Sequence, residues 1–142
     1  MYGVMIALAS GALMSIQGVF NTDVTKQTSL WVSAAFVQFT ALLVCLAAWL
    51  LYDRTSFGSL WEIQDKYVLL GGAIGALITA TVIRSMNALG PAKAAMLIVI
   101  AQLAVAWMIE LLGVFGVEKQ EFSMRKLLGL LIAVAGVITF EL

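Results

Sequence analysis

The sequence predicts an all-α integral membrane protein, a single domain with five transmembrane helices, and three observations carry that prediction. Hydrophobic residues make up 63% of the 142-residue chain and charged residues only 11%, with a mean hydropathy of +1.05. A soluble domain carries roughly 25% charged residues, so this chain has too little polar surface to solvate a globule. Its apolar residues also fall into long runs, several of about 20 residues, the length that crosses a bilayer core of ~30 Å. Only short polar stretches separate them, with none long enough to fold as a second domain. In lipid the backbone polar groups of each span have no partner outside the span, so each must be a helix.

The first helix is predicted over residues 3–20, followed by a polar loop, NTDVTKQTS, over 21–29. The N-terminus lacks a basic stretch and a small-residue cleavage site, so this run reads as a retained span and not a signal peptide. The second helix is predicted over 30–52, before the longest loop, 53–66, which contains Trp61. The third and fourth, over 67–89 and 91–113, form a hairpin around Gly90-Pro91. Proline suits the first turn of the fourth helix, where its missing N–H costs nothing. A charged loop, 117–126, leads to the fifth helix at 127–140. An odd number of spans puts the termini on opposite sides of the membrane. Arg54, Lys66, Lys119, Arg125 and Lys126 then share the side of Met1, against Lys26, Lys93 and a snorkelling Arg84. That small excess favours a cytoplasmic N-terminus and leaves insertion in both orientations open.

Several function classes are excluded or disfavoured. Net charge is zero, so nothing points to a nucleic acid partner. There is no His, which removes imidazole ligation and imidazole acid–base chemistry. Cys45 lies alone within an apolar run and reads as a small hydrophobe. No nucleophile–base pair or metal-ligand cluster appears, so neither an enzyme nor a cofactor is expected.

The informative residues are polar groups within apolar runs. Ser10, Met14, Gln17 and Asn21 follow a spacing of four, three and four and share one helical face. Gln38 repeats the pattern in the second helix with Trp31, Ala34 and Leu42, and Gln102 lies in the fourth between Ala95 and Ala106. Each amide has two readings: hydrogen-bonding glue between helices, worth about 0.6–2 kcal/mol, or the lining of a cavity. Arg84 is the costliest, at about 2.5–3.5 kcal/mol near a helix centre. It either snorkels to lipid phosphates or binds an anionic group. Gly71, Gly72 and Gly75 in the third helix, and Gly129 with Gly136 in the fifth, are helix-packing candidates. Glu110 ends the fourth helix on the side opposite Arg84, so the two could meet only between subunits of an antiparallel pair.

Together these features resemble the YdcZ-like family of unknown function, five-helix members of the drug/metabolite transporter superfamily related to the small multidrug resistance exporters. The resemblance runs through Gln17 and Asn21, then Gly71, Gly72 and Gly75, then Pro91. It continues through Gln102-Leu103 to Glu110 with Gly113, Phe115 and Gly116. It implies a multi-pass protein of the bacterial inner membrane, assembled as an antiparallel dimer with a second copy or with a homologous partner in opposite orientation. The small multidrug resistance exporters use a glutamate in the first helix for proton-coupled export of cations. The first apolar run here holds no acid, since Asp23 lies beyond its end.

The expected function is therefore a secondary transporter of a small neutral, zwitterionic or anionic solute, working by alternating access. Gln17, Asn21, Gln38, Arg84 and Gln102 are the candidate substrate contacts, with membrane lipids as the surrounding partners. Two other readings stand beside it. One is a lipid-headgroup flippase using Arg84 and Lys93. The other is a non-transporting assembly partner.

Overall fold

In the computed structural model, which describes residues 1–141, every regular element is helical. The described residues form two compact units, the first ending at Asn87 and the second beginning at Ala88.

The first unit opens with α1, Tyr2–Gln27. This corrects the expected loop over 21–29: most of that polar stretch is helix. Residues 21–27 contain no Gly or Pro, and their side chains support the helix. Thr22 donates to the Gly18 carbonyl at 2.8 Å, and the Gln27 amide donates to the Asp23 carboxylate at 3.1 Å. At about 1.5 Å per residue, the 26 residues of α1 span about 39 Å, longer than a hydrocarbon core of ~30 Å. Its polar end therefore emerges at the headgroups still helical.

The turn that follows is very short. Thr28 bonds back to the Val24 carbonyl at 2.7 Å, and Ser29 caps α2, Leu30–Ala48, by accepting from the Val32 N–H at 3.3 Å. Ser33 then fastens the pair, its hydroxyl donating to the Asn21 carbonyl at 3.0 Å in a buried contact. The spacing between α1 and α2 is thus held at their loop end. A π-helical turn, Trp49–Asp53, prolongs α2 and closes at Arg54, a left-handed residue with φ 59°. The segment beyond is tied back by the Trp49 indole N–H, which donates to the Thr55 carbonyl at 2.8 Å. It also contains a short helix, α3, Ser59–Glu62.

A 3-10 turn, Lys66–Leu70, leads into α4, Gly71–Leu89. Ala80, Ile83 and Met86 are its buried residues, and Gly18 on α1 meets Val82 and Met86. A Cβ at Gly18 would lie 2.5 Å from the end of the Met86 side chain. Gly18 is therefore the close-packed glycine of this unit. Gly71 and Gly72 have nothing within 4 Å of a Cβ position, and at Gly75 the nearest atom is the Gln38 amide nitrogen at 3.9 Å.

The second unit contains α5, Pro91–Leu112, and α6, Met124–Glu141. Gly90 precedes Pro91 with φ 83°, a conformation that favours glycine. Gly113 ends α5 in the left-handed region, φ 64°, and its N–H reaches the Ile109 carbonyl at 2.9 Å. The following loop folds back onto the helix end. The Gln120 N–H donates to the Glu110 carbonyl at 2.8 Å, and the Phe122 ring lies 5.6 Å from Trp107.

Four segments are long and apolar enough to cross a membrane: Tyr2–Gln27, Leu30–Asp53, Lys66–Leu89 and Pro91–Leu112. The 18-residue α6 carries Arg125, Lys126 and Glu141 and falls outside that group. Few apolar residues are buried. Among the described residues they are Ala34, Ala80, Ile83, Met86 and Ala94. Leu8, Leu13, Phe36, Leu51, Leu77 and Ile132 are all more than half exposed, as expected of faces that meet lipid or another chain.

Candidate functional site

Gln17 and Asn21 lie one helical turn apart on α1 and together line a groove of about 270 Å3 against α2, where Val37, Thr40, Ala41 and Val44 form the facing wall. The same two residues border a second depression of about 390 Å3 along α1 with Leu13, Met14, Ile16 and Phe20. Gln17 is exposed, whereas Asn21 is only 8% exposed. Its backbone carbonyl is taken by Ser33, but its side-chain amide has no partner among the described residues. Thr40 brings a hydroxyl that already donates to the Phe36 or Val37 carbonyl, each at 3.0 Å. With its proton used there, the hydroxyl can serve a ligand only as an acceptor.

The other predicted residues lie elsewhere. Gln38 is half-buried and donates to the Thr79 hydroxyl of α4 at 3.3 Å, and Thr79 bonds in turn to the Gly75 carbonyl at 3.0 Å. That chain links α2 to α4 and is not part of the groove wall. Arg84 is exposed and makes no ion pair among the described residues. Gln102 is exposed on α5, in the second unit. Gly129 and Gly136 have nothing within 4 Å of a Cβ position.

The second unit also holds a polar cluster. Glu110 pairs with Lys126 of its own chain at 2.5 Å, with the two side chains 39% and 44% exposed respectively. Leu103, Ala106, Trp107, Gly129 and Leu130 complete the walls of an adjoining cavity of about 350 Å3. The Trp107 indole N–H is buried without a hydrogen-bond partner among the described residues.

The chain thus combines four helical segments of membrane-spanning length with a groove lined by two amides and a hydroxyl, and the comparison with known families says what kind of protein carries them. The family model described as "Putative inner membrane exporter, YdcZ" matches residues 2–139. The chain belongs to the YdcZ family. It is a multi-pass membrane transporter of the inner-membrane exporter kind. No curated protein and no solved structure matches it.

For a YdcZ-family exporter, the sequence reasoning overlooked Thr40, Ser33 and Gly18. Hydroxyls are common in spans because they bond to their own helix, so Thr40 carried no separate signal in the sequence. Gly18 could have been found from its place beside Gln17 on α1. The Glu110–Lys126 pair was overlooked because Lys126 was assigned to a loop, whereas it lies in the first turn of α6.

Proposed function

We propose that this YdcZ-family protein is a secondary transporter of a small neutral, zwitterionic or anionic solute, with the α1–α2 groove as its substrate site. The observation that carries the reading is the pair of amides, Gln17 and Asn21, lining one groove with the Thr40 hydroxyl. Polar residues within spans are costly and face a bundle interior or a cavity, and these two amides line a groove instead of bonding a neighbouring helix. No acid lines the groove, so a cation would find no counter-charge there.

In this reading two copies, or one copy and a homologous partner, insert in opposite orientations, and α6 is the fifth span. At about 1.5 Å per residue, its 18 residues reach about 27 Å. That is close to the bilayer core, with Arg125 and Lys126 at its rim. Oppositely inserted units place a site at their interface and alternate its access by rocking. The chain acts as a carrier and not as an enzyme.

The test compares small solutes released into the medium by cells expressing the wild type or the Gln17→Leu/Asn21→Leu variant, at matched membrane levels. At least one solute should leave only the wild-type cells. Identical profiles would remove the reading.

Arg84, exposed and without an ion pair among the described residues, favours a second reading, in which a phosphate headgroup is the cargo. It is separated from the first by assaying fluorescent-lipid translocation in vesicles with Arg84→Gln.

A further inference from the structure

We infer that the α1–α2 groove selects small uncharged solutes that carry both hydrogen-bond donors and acceptors, and that it rejects ionised ones. This deepens the transport reading and rests on it for the location of the site. The starting point is Asn21. The residue is more than nine-tenths buried, yet its side-chain amide has no partner among the described residues. Its polar atoms are not sealed off, unlike Thr25 Oγ1 and Trp107 Nε1, which are buried and unpartnered. The residue is held by its surroundings while its amide stays open, and the groove it lines is where a ligand can bond to it.

The remaining walls define what that ligand must be. Asn21 and Gln17 each offer a carbonyl oxygen and an NH2 group. Thr40 donates to its own helix and presents lone pairs. Val37, Ala41 and Val44 complete the lining, so it carries no charged side chain. The nearest cation within the α4 span, Arg84, faces elsewhere. Val82 and Met86 meet Gly18 of α1, and Arg84 is two positions from each, about 200° around a helix of 3.6 residues per turn.

An ionised carboxylate entering this groove would lose water without gaining a counter-charge, a far larger penalty than for a hydrogen-bonded neutral group. Primary amides, ureas and polyols match the two amides and the hydroxyl directly. The groove volume of about 270 Å3 lies at or below the ~300 Å3 at which drug-sized sites begin, so the solute is of small-metabolite size.

The test is saturation-transfer NMR on the full chain in lipid nanodiscs, with lactamide, lactate and alanine as probes. These share a three-carbon frame and differ chiefly in charge. Lactamide should bind at least tenfold more tightly than either of the others. Its signal should disappear in Gln17→Leu/Asn21→Leu and weaken about fivefold in Thr40→Val, a variant that keeps the side-chain shape. Equal or tighter binding of lactate or alanine would overturn the inference. So would the absence of a lactamide signal, or one unchanged in the double variant. The readout is binding, so the transport reading stands or falls separately on the medium profile. A charged solute released there in a Gln17- and Asn21-dependent way would overturn the charge selectivity and leave transport intact.

Discussion

The hydroxyl of Ser33 does more for the fold than its size suggests. It is fully buried and donates to the Asn21 carbonyl, holding the start of α2 against the end of α1 beside the proposed site. Interhelical hydrogen bonds in membranes average about 0.6 kcal/mol and reach about 1.7. Ser33→Ala should therefore lower stability by about that amount in detergent unfolding and should loosen the groove. The Gln38–Thr79 bond is the second link of this type, and a double-mutant cycle with Gln38→Leu and Thr79→Val should return a coupling of about 0.6 kcal/mol. No coupling would mean that the amide has an equally good partner in the variant. Gly18 acts by its lack of a side chain. Because the opposing atoms are the flexible end of Met86, Gly18→Ala should be tolerated. Gly18→Ile should cost about 1–3 kcal/mol through overpacking, and Met86→Ala should recover part of that loss.

At the scale of elements, α5 and its trailing loop behave as one piece. Gly113 is left-handed, and a Cβ there would lie 2.8 Å from the Lys119 Cβ and 3.2 Å from its Cα. Both the backbone conformation and the space demand glycine. Gly113→Ala should destabilise the second unit by at least the 1–2 kcal/mol of a left-handed L-residue, seen as faster proteolysis of the loop after α5. The Glu110–Lys126 pair is a weaker clasp, because both side chains are substantially exposed and such pairs are worth about 0.2–1 kcal/mol in water. With Glu110 engaged in its own chain, an Arg84–Glu110 bridge between subunits would have to compete with Lys126. Glu110→Gln should therefore change thermal stability only slightly, whatever its effect on transport. The π-helical turn after α2 shows how an element can end without proline. Arg54 takes up a left-handed conformation, and its side chain bonds the Leu50 carbonyl at 2.8 Å.

For the whole molecule, orientation is the decisive property. The five-to-three distribution of Lys and Arg biases insertion only weakly, so C-terminal reporters active on opposite sides of the membrane should both give signal. Signal from one side alone would end the antiparallel homodimer and direct the search to an oppositely inserted homologue. Paired N- and C-terminal reporters also test the fifth span. Termini on opposite sides place α6 across the bilayer, and termini on one side keep it at the surface. The exposed apolar residues of each unit are consistent with a chain whose folded surroundings are lipid and a partner.

Membrane residence, helical structure and the α4–α5 boundary at Gly90-Pro91 were all legible in the sequence, because hydropathy, backbone satisfaction in lipid and proline geometry act locally. The spacing of Gln17 and Asn21 likewise put them on one face before any neighbour was known. The end of α1 was misread because polar composition marks where a chain leaves hydrocarbon, not where its helix stops. Partners were not legible either. Helices that are apolar nearly all round carry no stripe to say which face meets which neighbour. Only the tertiary structure could bring Thr40 to the two amides, join Ser33 to the Asn21 carbonyl and give Glu110 to Lys126. Each of those contacts depends on how one helix is rotated against another, and that is settled by packing across the fold, not by spacing along the chain.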